Sequence, residues 1–302
     1  MNFDCYAITT WPGYVFQTAL CIKSIAQYFP KKPIHIIVDT NHTHAVDPWP
    51  NFFEHLQTYL NQQYWQHDNL VYHRVDDVPL IDSCKVGWWR QQLVKLNLDQ
   101  YLPGNHWLVV DADIIFEQTL EFDSVPVKID HLYALESDPI TIGNRLYVKH
   151  MLNTDYDRIS HDNFPACASA VPFRQLDRKL LTQLRTMVEQ NHNKNFTQLH
   201  LDLFESCEIV AMDPERKKMV MSEFELIEVF RRYLSDCPLP TRSVGWSHTF
   251  ALQCDGDYRF RHSSLADWTL GREWLEAQHL QITDAQWQMS KQFRENMPYL
   301  RK

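Results

Sequence analysis

Asp111 and Asp113 stand one alanine apart at the end of an unbroken apolar run, Trp107 to Val110. Such a run reads as a strand covered on both faces, as in a parallel sheet flanked by helices. Side chains alternate along an extended backbone, so the two carboxylates are expected to point the same way. Two like charges that close to an apolar interior repel each other unless a cation sits between them, and a hard divalent ion takes carboxylate oxygens readily. The same spacing also describes a strand end with two solvated aspartates. Spacing alone leaves both readings open.

The elements around this pair must position it. Trp88 to Asn97 has helical character, with Trp89, Leu93 and Leu96 on one apolar stripe and Gln91, Gln92 and Lys95 on another face. Arg90 and Lys95 would bring positive charge near the carboxylates and any phosphate they hold, and the glutamines would add donors and acceptors without charge. An amphipathic helix with a solvated face fits the same residues. Pro103 and Gly104 break the chain before the strand. Upstream, Phe3 to Thr10 reads as a first strand, Tyr14 to Phe29 as a helix stopped by Pro30 and Pro33, and Ile34 to Val38 as a second strand ending in Asp39. Strand, helix, strand is a βαβ unit if the sheet is parallel. Ligands bind at the carboxyl ends of such strands, which puts Thr9, Thr10 and Asp39 on the rim that carries Asp111 and Asp113.

Composition narrows the chemistry. The chain of 302 residues, 44% hydrophobic and 22% charged, has the makeup of a folded α/β protein. Its net charge of −9 provides no general attraction to nucleic acid or to anionic lipid. Seven glycines and no G-x-G-x-x-G or Walker pattern argue against a glycine-cradled phosphate, so a bound diphosphate would depend on a metal. The seven cysteines are widely spaced with no C-x-x-C pair, and read as reduced core residues. There is no apolar run of membrane-spanning length, which leaves peripheral membrane association open. MNFDCYAITT has neither the basic segment nor the apolar core of a signal peptide, so the expectation is a cytoplasmic protein.

A D-x-D at a strand end, preceded by a helix of the form W-x-Q-Q-x-x-K-L, resembles the GT-A glycosyltransferases. The pattern Gly87, Trp88, Arg90, Gln91, Gln92, Lys95, Leu96, then Asp111, Ala112 and Asp113, is more closely similar to a bacterial family of largely uncharacterised GT-A-like proteins. The similarity runs from the first strand to about Arg232. It implies an α/β fold of the GT-A type, a Rossmann-like mixed sheet flanked by helices. It also implies a nucleotide-diphosphate sugar as donor, a carbohydrate acceptor, Mn2+ or Mg2+ as cofactor, and a place in bacterial surface polysaccharide synthesis. Under this resemblance Thr9 and Thr10 contact the nucleotide, Asp113 is the first metal ligand, and Asp111 shares the ion or holds the ribose. A late histidine, His248 or His262, would complete the coordination; His262 is preferred because Tyr258 to Arg261 alternates like a strand that ends at it.

The remaining chain contains further candidates. Asn41 to Pro50 is a polar loop with His42 and His44; Phe52 to Trp65 reads as a helix and Val71 to Val75 as a strand. His131 to Glu136 reads as a strand, Gln175 to Asn191 as a helix, and Ile209 to Met212 as a short strand. The small residues of FPACASAVPF, 164–173, read first as a tightly packed core strand; the GT-A resemblance implies instead a segment that helps line the acceptor site. In Ser222 to Asp236, Ser222 and Glu225 form a capping box. S-E-F-E matches a segment of the resembled family, and Glu223 is the candidate base for the acceptor hydroxyl; a carboxylate in a first helical turn is also favourable for the helix alone. Arg242, Arg259 and Arg261 add positive charge, and Trp268 to Gln292 reads as a helix. Residues 1–240 form the expected catalytic domain and 241–302 a segment that completes the site. Two rival readings remain: a sugar-phosphate nucleotidyltransferase, disfavoured by the single glycine of WPGY, and a non-catalytic carbohydrate-binding or scaffold protein.

Overall fold

The computed structural model describes residues 3–11, 15–29, 31–39, 53–54, 56–58, 60, 69–84, 87–116, 125–128, 139–153, 173–206, 220–236, 241–244 and 260–262. The loop 41–50, the segments 131–136, 164–172 and 209–212, His248, and the helix expected at 268–292 lie outside them. The fold is mixed α/β, with a five-stranded sheet flanked by helices. The sheet is built from β1 (Cys5–Thr10), β2 (Ile34–Val38), β3 (Leu70–Arg74), β4 (His106–Asp111) and β7 (Phe173–Asp177), in the order β3-β2-β1-β4-β7. Between β4 and β7 come β5 (Ile114–Phe116) and β6 (Val125–Lys128); β8 (Thr241–Val244) and β9 (Phe260–His262) follow late in the chain. The helices are α1 (Val15–Tyr28), α2 (Gly87–Leu96), α3 (Leu98–Tyr101), α4 (Pro139–Leu152), α5 (Arg178–His192), α6 (Phe196–Glu205) and α7 (Glu223–Tyr233). The chain divides into two compact units that interleave in sequence.

One unit comprises Cys5–Val75, Val110–Glu121 and Trp246–Lys302. Here β1 and β2 pair in parallel with Thr10 opposite Val38, and β2 and β3 pair in parallel with Val38 opposite Arg74. This is the expected βαβ start. All of β1 and β2 is buried, as strands covered on both faces require. α1 packs against β5, and the rings of Phe29 and Phe116 meet edge to face with centroids 4.8 Å apart. β5 pairs antiparallel with β9, Ile114 opposite His262. Positions 53, 54, 56–58 and 60 are helical, within the helix expected there.

The other unit comprises Met1–Asp4, Asp76–Val109 and Phe122–Gly245. Three of its helices start at side-chain caps: Asp177 accepts from Leu180 N at 2.7 Å, Asn195 from Gln198 N at 3.1 Å, and Ser222 from Glu225 N at 3.4 Å. The first of these corrects the helix expected from Gln175. Phe173 to Asp177 is strand β7, and its last residue becomes the cap, so the helix begins three positions later. α4 and α6 were not anticipated, nor were β6 and β8, which pair in parallel with Val125 opposite Thr241.

Candidate functional site

Within the first-described unit, the acidic pair closes a turn. Trp107 to Val110 are fully buried, Asp111 is the last residue of β4, and Ala112 and Asp113 form the turn into β5. The strand thus ends at the first aspartate, so strand alternation does not orient the pair. The backbone at the turn is met by α1. Cys21, on α1 and completely buried, donates its thiol to the Asp111 carbonyl at 3.7 Å. Burial raises this thiol well above the usual range, and the negative fields of Asp113 and then Asp111 raise it further. Both carboxylates thus act electrostatically on one buried thiol.

The first strand's end is tied to the same helix. Thr10 and Thr18 share a hydrogen bond of 2.6 Å between their hydroxyls. Thr18 and Cys21 are three residues apart, hence on one face of α1. Thr10 and Asp111 are consequently held at one place on the molecule. Asp39 joins them, its amide donating to the Thr10 carbonyl at 2.8 Å. Thr9, Thr10, Asp39 and Asp113 are all buried, and Asp111 is half-buried. His262 lies on β9 directly opposite Ile114, the residue that follows Asp113.

Two carboxylates are donors of the kind that hold Mg2+ or Mn2+ together with substrate phosphates, with no need for an all-protein cage. Among the described residues no group of three His, Cys, Asp or Glu gathers for a metal. The donor set fits an ion that substrate helps to coordinate.

Within the other unit, α2 is more buried than its amphipathic pattern implies. Arg90, Gln92 and Lys95 are buried, and Gln91 half-buried. Arg90 donates to the Cys84 carbonyl at 2.7 Å. Lys95 forms a buried ion pair with Glu223 at 2.9 Å and sits 4.5 Å from the centre of the Phe224 ring. Farther along α7, Glu228 lies 2.9 Å from both Arg174 and Arg231. Burial lowers the Arg174 guanidinium, and Glu228 opposes that shift.

Beside these lies a cluster that sequence reading missed. The His200 Nδ1 bonds the Phe196 carbonyl at 2.8 Å, which fixes the proton on that nitrogen. Nε2 is then the acceptor for the Tyr147 hydroxyl, 2.7 Å away. Burial, joined by the Glu223 charge, raises this phenol well above its usual range. The His150 and His192 rings meet at a tilt of 37° with centroids 4.9 Å apart. These residues are spread over 147–200 with no local spacing that signals them.

A family model described as "Family of unknown function (DUF6492)" matches residues 15–224. The chain belongs to DUF6492. The matched span of this DUF6492 protein runs from the start of α1 through the acidic turn to Phe224. No curated protein matches the sequence. Among solved structures, the mouse xyloside xylosyltransferase 1 apo form is similar at 8% identity and a TM-score of 0.45, over 88% of this chain and 99% of that one. An active-site mutant of LgtC is similar at 9% identity and a TM-score of 0.42, over 80% of this chain and 72% of that one. The glycosyltransferase GlyE of Streptococcus pneumoniae TIGR4 is similar at 10% identity and a TM-score of 0.38, over 80% of this chain and 45% of that one. At TM-scores this low the backbones diverge too far for residue-by-residue correspondence.

Proposed function

We propose that this DUF6492 protein is a GT-A-type glycosyltransferase that moves a sugar from a nucleotide-diphosphate donor to a hydroxyl acceptor, in bacterial surface polysaccharide synthesis. The observation that supports the reading is the placing of Asp111 and Asp113 at the turn that ends β4, next to α1, to which the end of β1 is also anchored. Asp113 would be the direct cation ligand, with Asp111 sharing the ion or meeting the ribose. A divalent cation bound there would neutralise charge developing on the diphosphate as the glycosidic bond breaks. Thr9, Thr10 and Asp39 would meet the nucleotide from the strand ends. The C-terminal segment 241–302 would complete the site through β9, and His262 is the candidate for a further ligand.

In the transfer the acceptor oxygen bonds to the anomeric carbon, the carbon–diphosphate bond breaks, and the acceptor proton passes to a base. Glu223 remains the named candidate for that base, but its pairing with Lys95 provides a structural account of the same residue.

The test is calorimetric titration of UDP, GDP and CMP into the full chain, with and without Mn2+, beside Asp113→Ala. Manganese-dependent binding of one nucleotide, lost in the variant, is the expected result. Binding of none of them under either condition would overturn the proposal in favour of a protein that does not use a nucleotide donor.

A further inference from the structure

Two carboxylates can share one ion only if their spacing is fixed, and the turn that bears them, Asp111-Ala112-Asp113, is contacted from α1 on both sides. Its exit is held by apolar packing: β5 lies on α1, with Phe116 against Phe29. Its start is touched from α1 by the Cys21 thiol, which donates to the Asp111 carbonyl at 3.7 Å. That contact orients the peptide plane between Asp111 and Ala112, on which the direction of everything up to Asp113 depends. The thiol is itself well placed, because one turn earlier Thr18 fastens α1 to the end of β1 through Thr10. Cys21 is buried, and its contact with the Asp111 backbone gives it a reason to be a donor where an alanine or valine would pack as well.

We infer that Cys21 is a positioning residue for the acidic turn, its hydrogen bond to the Asp111 carbonyl setting the carboxylate spacing and so the affinity for a divalent cation. The inference rests on the cation reading above and deepens it. Groups that orient metal ligands from behind are worth about 10- to 100-fold in metal affinity when removed. A serine at this position keeps a donor, whereas valine keeps the volume and loses the donor.

The experiment is titration of Mn2+ alone into the full chain and into C21S, C21V and C21A, with thermal unfolding of each in the absence of metal. The expected result is a Kd raised about tenfold or more in C21V and C21A, and largely recovered in C21S. The order of affinities should not follow the order of unfolding temperatures, since a purely structural cysteine would move the two together. Should C21A not fold, the C21S and C21V pair makes the same comparison. Tight binding by wild type with C21V and C21A within twofold of it overturns the inference and leaves the cation reading intact. A wild type that binds no Mn2+ overturns the cation reading, and this inference with it.

Discussion

Lys95 Nζ and Glu223 Oε1 lie 2.9 Å apart, with side chains 3% and 7% exposed, and this bond links α2 to the first residue of α7. A buried pair is costly to break from one side, because the survivor keeps its charge without its partner; such losses run to about 3–5 kcal/mol. Lys95→Met is therefore expected to destabilise the protein by about 3 kcal/mol. The double variant Lys95→Met/Glu223→Gln should recover part of that loss. Urea unfolding of the two single variants and the double closes the cycle. A Glu223→Gln variant of unchanged stability but lost turnover would instead assign Glu223 to the chemistry.

Two histidines make stability depend on pH. His200, enclosed by Tyr147, the Phe196 carbonyl, His150 and His192, is lowered from 6.5 to about 4, chiefly by burial. His35 is also lowered to about 4, by burial and by His73, whose Nε2 lies 2.8 Å from the His35 Nδ1. A folded-state value below the unfolded one means that the unfolded chain binds more protons, so stability rises with pH between the two values. The full contribution is present above pH 6.5 and is lost as pH falls to about 4. Each histidine accounts for about 3 kcal/mol at most over that window. Denaturant unfolding at steps from pH 7.5 down to pH 4.5 measures the slope. His200→Gln keeps an acceptor for Tyr147 and should flatten it; an unchanged slope would remove His200 as a cause.

Gly104 has φ of +77°, the left-handed region. A Cβ there would press on the Asp4 side chain, lying 2.9 Å from its Cβ and closer still to Oδ2. That carboxylate accepts from the amides of Asn105 at 2.7 Å and His106 at 3.0 Å, so it cannot move aside without releasing the start of β4. Gly104→Ala should cost about 1–3 kcal/mol from the strained backbone alone. Asp4→Asn, which keeps one acceptor oxygen, should cost less. Thermal unfolding of both variants decides; a Gly104→Ala protein as stable as wild type refutes the account.

The sequence made the start of the fold legible because its signals are local. Apolar runs bounded by prolines mark β1, α1 and β2, and the Ser222 cap marks the start of α7. The acidic pair could be found for the same reason. Its geometry could not, because the strand ends at Asp111 and the backbone there meets Cys21, ninety residues away in sequence. The surroundings of Arg90 and Lys95 were hidden for a related reason. A periodic pattern shows which residues share a face but not that the face is buried against Cys84 and Glu223. The strand at Phe173–Asp177 was hidden because its polar residues continue without a break into the helix that Asp177 caps.

The acidic turn should make stability depend on divalent cation. Asp113 is buried and Asp111 half-buried, and they stand one residue apart at one turn, where water screens their charges poorly. A cation that binds only the folded chain stabilises it by mass action, about 2.7 kcal/mol at a hundredfold excess over Kd. Wild-type protein should thus unfold at a higher temperature in Mn2+ than after chelation with EDTA. Asp113→Asn removes one donor charge and with it the repulsion between the two carboxylates, so in EDTA it should be at least as stable as wild type, and Mn2+ should leave it unmoved. The two curves separate the roles: a variant that still gains stability from Mn2+ binds the ion elsewhere, and a variant that is unstable in EDTA shows that the Asp113 charge serves the fold. Differential scanning calorimetry of both proteins in both buffers makes the comparison.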